Sequence, residues 1–237
     1  MSGHSKWANI KHKKAKEDAK KGKVFTKMIK EITILAKECG GEPASSPRLK
    51  TLIEKAKAAN MPSENITRAI KKGTGELPGV NYEAQNYEGY GPYGVAVIVQ
   101  TLTDNKNRTV SDMRRIFTRG GGSLAETGAV GWMFETKGVV KLTGKTTEDA
   151  LLESLLDFEI EDISKYEDTF TIICDPKSVD QVKKAVEAQG LKVESTEIEP
   201  VPKNMSELND EQAEKVVAFL EELEENDDVQ NVYSNLA

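Results

Sequence analysis

The sequence predicts an α+β, multidomain protein with an N-terminal antiparallel helical bundle followed by two α/β domains, one ferredoxin-like and inserted in the other. Three observations indicate this fold class. Apolar residues recur at helical spacing between residues 24 and 70, and strand-length apolar runs begin at residue 95. Residues 139–198 then follow the order β-α-β-β-α-β, the order of a ferredoxin-like unit.

The N-terminal third predicts three helices with short links, which is the pattern of a small antiparallel bundle. Between Val24 and Cys39 the apolar residues fall on one helical face, and a Gly-Gly-Glu-Pro sequence ends that helix. Ser46 caps a second helix and is followed by Pro47 at the first helical position. Ser63 is expected to cap a third helix, which ends at a glycine.

The rest of the chain alternates between strand-like and helix-like segments after a linker at residues 74–82. The predicted strands are, in order, 95–102, 129–135, 139–143, 160–164, 169–174, 191–198 and 229–233. The predicted helices are 109–119, 147–157, 179–189 and 210–223.

Counting these elements gives the domain boundaries. Residues 1–73 form a basic arm plus the bundle, and residues 136–203 form the ferredoxin-like domain. Residues 82–135 alone supply too few strands for a domain, so residues 204–237 are expected to complete it. The middle domain is therefore predicted to be discontinuous, with the ferredoxin-like domain inserted in it.

Charge is strongly segregated along the chain. Residues 1–72 carry 18 Lys and Arg against 7 Asp and Glu, whereas the remaining residues carry 15 against 32. The net charges are +11 and −17. A basic head on an acidic body is typical of a protein that docks one end on a polyanion, and phosphate backbones are the commonest dense polyanions.

The first thirty residues hold ten lysines and two acids, and we interpret residues 1–11 as an extended arm and Lys11 to Lys21 as a helix. An exposed indole at Trp7 would stack on a base or fill a pocket, which favours nucleic-acid contact over a merely solubilising lysine run. The predicted nucleic-acid-binding residues are His4, Lys6, Trp7, Asn9, Lys11, His12, Lys13, Lys14, Lys16, Lys20, Lys21 and Lys23.

A second group of polar and basic residues follows the first apolar strand. Residues 103–109 are interpreted as a polar loop at the sheet edge, with more arginines on the helix after it; an evenly solvated helix is the alternative. The secondary candidates are Asn105, Lys106, Asn107, Arg108, Arg114, Arg115 and Arg119.

No catalytic, metal or cofactor constellation is predicted. The two histidines both lie in the arm, without a Cys or acid at metal-ligand spacing. The segment GYGPYG matches a phosphate-binding glycine pattern only formally, because it precedes a strand and contains a proline. No apolar run reaches the length of a membrane span, and no secretory signal is evident, so we expect a cytoplasmic protein without membrane or small-molecule partners.

Five motifs closely resemble the YebC/PmpR family: GHSKWANIKH at 3–12, AKAANMP at 56–62, YEGYGP at 87–92, TDNKNRT at 103–109 and DDVQNVY at 227–233. The resemblance implies a three-domain α/β protein with an N-terminal helical domain. It also implies a regulator of gene expression: bacterial members are described as DNA-binding transcriptional regulators, and others, including a mitochondrial translational activator, act on the ribosome. Lys13, Lys14 and Lys106 replace arginines common in the family, and Ala125 replaces a glycine.

The resulting hypothesis is a non-enzymatic, nucleic-acid-binding regulator acting at the ribosome or ribosomal RNA as a translation factor. Lysines position phosphates without reading bases, which favours structured RNA. Two alternatives stay open: a transcriptional regulator that binds promoter DNA, and a protein–protein adaptor whose arm only confers solubility.

Overall fold

The computed structural model describes residues 22–237 and confirms the α+β, multidomain fold. Within these residues the chain forms two compact units, 22–130 with 209–232 and 131–208 with 233–237. The predicted helix from Lys11 to Lys21 lies outside the described residues. The division into three domains stays a prediction.

Three helices open the described chain and pack around an apolar core. They are α1 (Gly22–Cys39), α2 (Pro47–Ala58) and α3 (Ser63–Gly73). Ile32 of α1 and Leu49 of α2 are fully buried in this core. The Ser46 cap is confirmed, because its hydroxyl accepts a hydrogen bond from the Leu49 amide at 3.3 Å. The predicted Ser63 cap is wrong, because Ser63 is itself the first residue of α3 and no side chain caps that helix.

The first sheet has four strands, β1 (Glu83–Tyr90), β2 (Ala96–Thr103), β3 (Ser123–Ala125) and β8 (Val229–Ser234), in the spatial order β3-β1-β2-β8. Two helices, α4 (Lys106–Arg119) and α7 (Asp210–Glu225), pack on it. A Cβ at Gly89 would lie 2.6 Å from Phe117 of α4, and one at Gly91 would lie 2.9 Å from Phe219 of α7. The two helices therefore cover the sheet face on which those glycines lie.

The second sheet and its two helices consist, in chain order, of β4 (Phe134–Thr143), α5 (Glu148–Ser154), β5 (Ile160–Tyr166), β6 (Thr169–Cys174), α6 (Val179–Ala188) and β7 (Lys192–Pro202). The sheet is antiparallel, with the spatial order β5-β6-β4-β7. Leu142, Leu151, Phe170 and Val182 are fully buried between the helices and the sheet. The predicted ferredoxin-like order is confirmed, and in the chain it is inserted between β3 and β8 of the first sheet.

Several predicted boundaries differ from the observed ones. The predicted strand at 129–135 is wrong: residues 131–133 form a 3₁₀ turn, and β4 runs unbroken from Phe134 through Gly138. The predicted boundary between residues 135 and 136 lies within β4. Gly138 lies within this strand, and a Cβ there would lie 2.2 Å from Val179, so no larger side chain has room. Strand β7 extends past its predicted end to Pro202 because it is an edge strand, where proline removes no ladder hydrogen bond.

Strands β1 and β3 were not predicted. The sequence of β1, EAQNYEGY, lacks an apolar alternation, and β3 lies in a glycine-rich segment. Both are strands because they pair: β1 is antiparallel to β2 over eight residues and to β3 over three.

Candidate nucleic-acid interface

Lys23 is the one predicted arm residue within the described part of the chain. It lies exposed in the first turn of α1, and its ammonium donates a hydrogen bond to the Glu225 carbonyl at 3.2 Å. The other eleven predicted arm residues, His4 through Lys21, lie outside the described residues. Their assignment to nucleic-acid contact stays a prediction.

The helical bundle carries exposed cations that the sequence analysis did not single out. Among residues 22–237, none of these six side chains forms an ion pair: Arg48, Lys50, Lys57, Arg68, Lys71 and Lys72. Lys57, Lys71 and Lys72 lie in the last turns of α2 and α3, where positive charge also interacts favourably with the helix dipole. The signal available in the sequence was that these residues occupy the polar faces of two amphipathic helices.

Lys106, Asn107 and Arg108 belong to a helix and not to a loop. Helix α4 begins at Lys106, and the Asn105 side chain caps it by accepting a hydrogen bond from the Arg108 amide at 3.1 Å. The predicted loop at 103–109 is therefore wrong from Lys106 onward. An Asx side chain at a strand end suits an N-cap, whereas the predicted helix began only at Thr109.

Most of the secondary candidates already have acidic partners. Lys106 pairs with Glu83 at 2.6 Å, and Arg115 pairs with Asp112 at 3.4 Å. Arg119 pairs with Glu222. In the described part of the chain, the exposed side chains of Asn107 and Arg114 have no such partner.

Arg108 takes part in a buried ionic cluster centred on Asp228, which lies just before β8. One carboxylate oxygen of Asp228 accepts from the Lys30 ammonium at 2.6 Å, and the other accepts from Arg108 at 2.9 Å and from Thr109 at 2.8 Å. Thr103 donates to the same oxygen at 3.2 Å. Lys30 and Asp228 are buried, whereas the Arg108 side chain is half exposed. The cluster joins α1, the end of β2, the start of α4 and the start of β8.

The electrostatics of the cluster favour the ionised carboxylate. Burial acts to raise the pKa of Asp228, but the hydrogen bonds from Lys30, Arg108 and Thr109 outweigh it and leave the pKa at about 2. Lys30 also donates to the Asp227 carbonyl at 2.8 Å, which satisfies its buried charge further. These contacts hold α1 against the sheet. The ion pair between Lys30 and Asp228 could not be predicted from the sequence, because the two residues are 198 positions apart.

Residues 22–237 contain no group of three His, Cys, Asp or Glu side chains arranged to hold a metal ion. None of the helices described is both long and apolar enough to span a bilayer.

Comparison with known proteins gives matches along the chain. The family model described as "TACO1/YebC protein N-terminal domain" matches residues 5–76, and that described as "TACO1/YebC second and third domain" matches residues 82–236. A relative from Geotalea uraniireducens, named a probable transcriptional regulatory protein, is 51% identical over 99% of this chain and 95% of its own. A relative of the same description from Chlorobaculum tepidum is 52% identical over 100% of this chain and 95% of its own.

Among solved structures, the chain resembles a conserved hypothetical protein from Aquifex aeolicus. The two are 43% identical and superpose with a TM-score of 0.81, covering 93% of this chain and 91% of the other.

Proposed function

The chain belongs to the TACO1/YebC family, and from that premise we propose that it is a non-enzymatic regulator of gene expression that binds nucleic acid. Binding takes place through the basic N-terminal arm and the exposed cations of the helical bundle. The regulator acts at the ribosome as a translation factor, and ribosomal RNA is its target.

One observation carries the proposal: positive charge is concentrated at one end of an acidic protein. The net charge is +11 for residues 1–72 and −17 for residues 73–237. The described part of that basic region includes the six exposed cations named above, which form no ion pair within residues 22–237, so their charge is available to an external polyanion. Neutralising phosphates with such cations releases condensed counterions, which drives binding.

The chemistry of these cations supports RNA over sequence-specific duplex binding. Duplex readout usually places a recognition helix in the major groove, with several side chains on base edges. The bundle instead presents mainly lysines, which contact phosphates and position a nucleic acid without reading it. Arginines that could have read bases from α4 are mostly paired with carboxylates.

A DNA-binding transcriptional regulator is the second candidate. The names of the curated relatives favour it, since they are described as probable transcriptional regulatory proteins. The same basic surface would then contact duplex phosphates, and the two candidates differ in their target and not in their binding residues.

Sedimentation of the full-length protein with ribosomal particles tests the proposal. We expect co-migration at low salt, loss of co-migration in the variant with Lys11, Lys13 and Lys14 all changed to Glu, and a weaker loss with Lys50→Glu and Arg68→Glu. In a binding titration, each phosphate contact removed should reduce the slope of log affinity against log salt by about 0.7–0.9.

The matched control reverses three exposed cations of the acidic region, Lys145, Lys177 and Lys184, which gives the same change in net charge as the triple arm variant. This variant should still co-migrate. If both triple variants lose binding equally, net charge and not the basic segment is responsible, and the proposal fails. If the protein stays at the top of the gradient but shifts promoter DNA, transcriptional regulation replaces the ribosomal role. Binding to neither supports the adaptor alternative.

A further inference from the structure

A groove of about 490 Å³ lies between α1 and the face of the first sheet opposite α4 and α7. Its volume lies within the range of about 300–1,000 Å³ that is usual for small-ligand sites. One wall is a single face of α1, formed by residues 24, 27, 28, 31, 34, 35 and 38 at spacings of three and four. The floor is formed by strands β1, β2 and β8.

The floor of the groove is a row of carboxamides across three neighbouring strands. Asn86 of β1 is directly opposite Gln100 of β2, and the Gln100 side chain accepts a hydrogen bond from Asn231 of β8 at 3.3 Å. The Asn86 side chain is exposed and has no hydrogen-bond partner in residues 22–237. Gln230 also lines the groove, and its buried Nε2 lacks a partner within the same residues.

A carboxamide offers a donor and an acceptor side by side. Asn and Gln therefore pair bidentately with adenine, whose N6 donates and whose N7 accepts. The buried Nε2 of Gln230 has no acceptor within residues 22–237, which costs stability unless a ligand supplies one. The carboxamide row thus has the hydrogen-bonding pattern of a nucleobase site.

The wall of the groove favours a flat, neutral group over an anion. Met28 and Ile34 supply partly buried apolar surface for a ring, while Glu31 and Glu38 are exposed acids that repel a phosphate. Lys27 is a cation on the same wall, but its ammonium already donates to the Glu224 carbonyl at 3.1 Å. A phosphate is better placed beside Arg48, which lines the groove and has no ion pair in the described chain. Val24, in the first turn of α1, also lines the groove, and the basic arm joins the chain directly before that turn.

We propose that this groove binds an unstacked adenine base of the RNA whose phosphates the basic arm and bundle contact. This inference rests on the proposed nucleic-acid binding and adds a base-reading site to it. Single-stranded RNA is commonly recognised through bases splayed out of the stack, with hydrogen bonds to their edges and apolar surface against their faces.

The test titrates the ¹⁵N-labelled full-length protein with a six-residue oligoadenylate and, separately, with an abasic ribose-phosphate hexamer that carries the same phosphates. Oligoadenylate should shift the side-chain amide resonances of Asn86, Gln100 and Asn231, and the abasic hexamer should not. Asn86→Ala should weaken oligoadenylate binding about tenfold, the scale of one lost bidentate contact, and should leave abasic binding unchanged. The resonances of the unsubstituted protein report on the groove even if a variant fails to fold.

Gln85→Ala is the matched control, because Gln85 is the neighbour of Asn86 on β1, does not line the groove and points to the other sheet face. It should bind both oligomers as the unsubstituted protein does. AMP alone distinguishes a free nucleotide from a base within a strand. We expect AMP to shift the same amides at an affinity at least tenfold lower than oligoadenylate, whereas equal affinity assigns the site to a free nucleotide.

The outcomes separate this inference from the proposed function. If both oligomers bind alike and no carboxamide resonance moves, the groove inference is overturned while nucleic-acid binding stands. If neither oligomer binds but AMP moves the carboxamides, the proposed function and this inference both fail, and the groove is a site for a free nucleotide. If no nucleotide probe moves them, the groove has another occupant, such as a peptide, and the inference is rejected.

Discussion

We predict that the ionic cluster centred on Asp228 holds α1 to the first sheet, and that removing the charge of Asp228 lowers the free energy of unfolding. The substitution Asp228→Asn preserves the size of the side chain and removes the charge that faces Lys30 at 2.6 Å and Arg108 at 2.9 Å. Arg108 is half exposed and can be hydrated, but Lys30 is only 7% exposed. The variant therefore leaves a buried ammonium without its counter-charge.

The structure gives the magnitude of the loss in two ways. The gap between the ordinary Asp pKa of 3.8 and the folded value of about 2 corresponds to about 2 kcal/mol at neutral pH. Removing one partner of a buried ion pair usually costs about 3–5 kcal/mol. Because the Asn carbonyl and the Asp227 carbonyl can still accept from Lys30, we expect a loss of about 2–3 kcal/mol in the free energy of unfolding.

Urea unfolding followed by circular dichroism, with amide hydrogen exchange in α1, measures this loss. The folded pKa lies below the ordinary one, so the carboxylate contributes its full stabilisation above about pH 5 and loses it as pH falls toward 2. The difference between Asp228→Asn and the unsubstituted protein should therefore shrink between pH 5 and pH 2. Exchange in α1 should accelerate at neutral pH.

Asp227→Asn is the matched control, because Asp227 is the exposed neighbour and contributes its backbone carbonyl, not its carboxylate, to Lys30. It should change stability by less than about 0.5 kcal/mol. Equal stability of the Asp228 and Asp227 variants would refute the reasoning. So would a loss in Asp228→Asn that does not depend on pH.

Packing and thiol chemistry give two further tests. Gly138→Ala places a Cβ 2.2 Å from Val179 and should lower the free energy of unfolding by about 1–3 kcal/mol in urea titration. Gly22→Ala, whose Cβ meets no atom within 4 Å, should not destabilise, and an unchanged midpoint for Gly138→Ala would contradict the packing. Burial raises the pKa of the Cys174 thiol to about 11, so at pH 8 a thiol reagent should label the partly exposed Cys39 and reach Cys174 only after unfolding. Equal labelling rates in the folded protein would disprove this.

The sequence predicted regular elements well wherever periodicity was strong. Strand β6 and helices α6 and α7 begin where the apolar spacing placed them, because each has one buried face that fixes its period. Strand β1 was not predicted because its residues are mostly polar. It is a strand because it pairs with β2, and its composition gives no sign of this. Residues 103–109 looked like a loop because the charged first turn of α4 has no apolar periodicity.

Some features of the candidate sites could be predicted from the sequence, and others required the tertiary structure. Charge segregation, the basic arm and the family resemblance follow from the sequence alone, because net charge and motif identity need no coordinates. The roles of Arg108 and Asp228 and the carboxamide row of Asn86, Gln100 and Asn231 were decided by the tertiary structure. Each of these groups joins residues more than a hundred positions apart, and only the pairing of β8 with β2 and the packing of α1 bring them within hydrogen-bond distance.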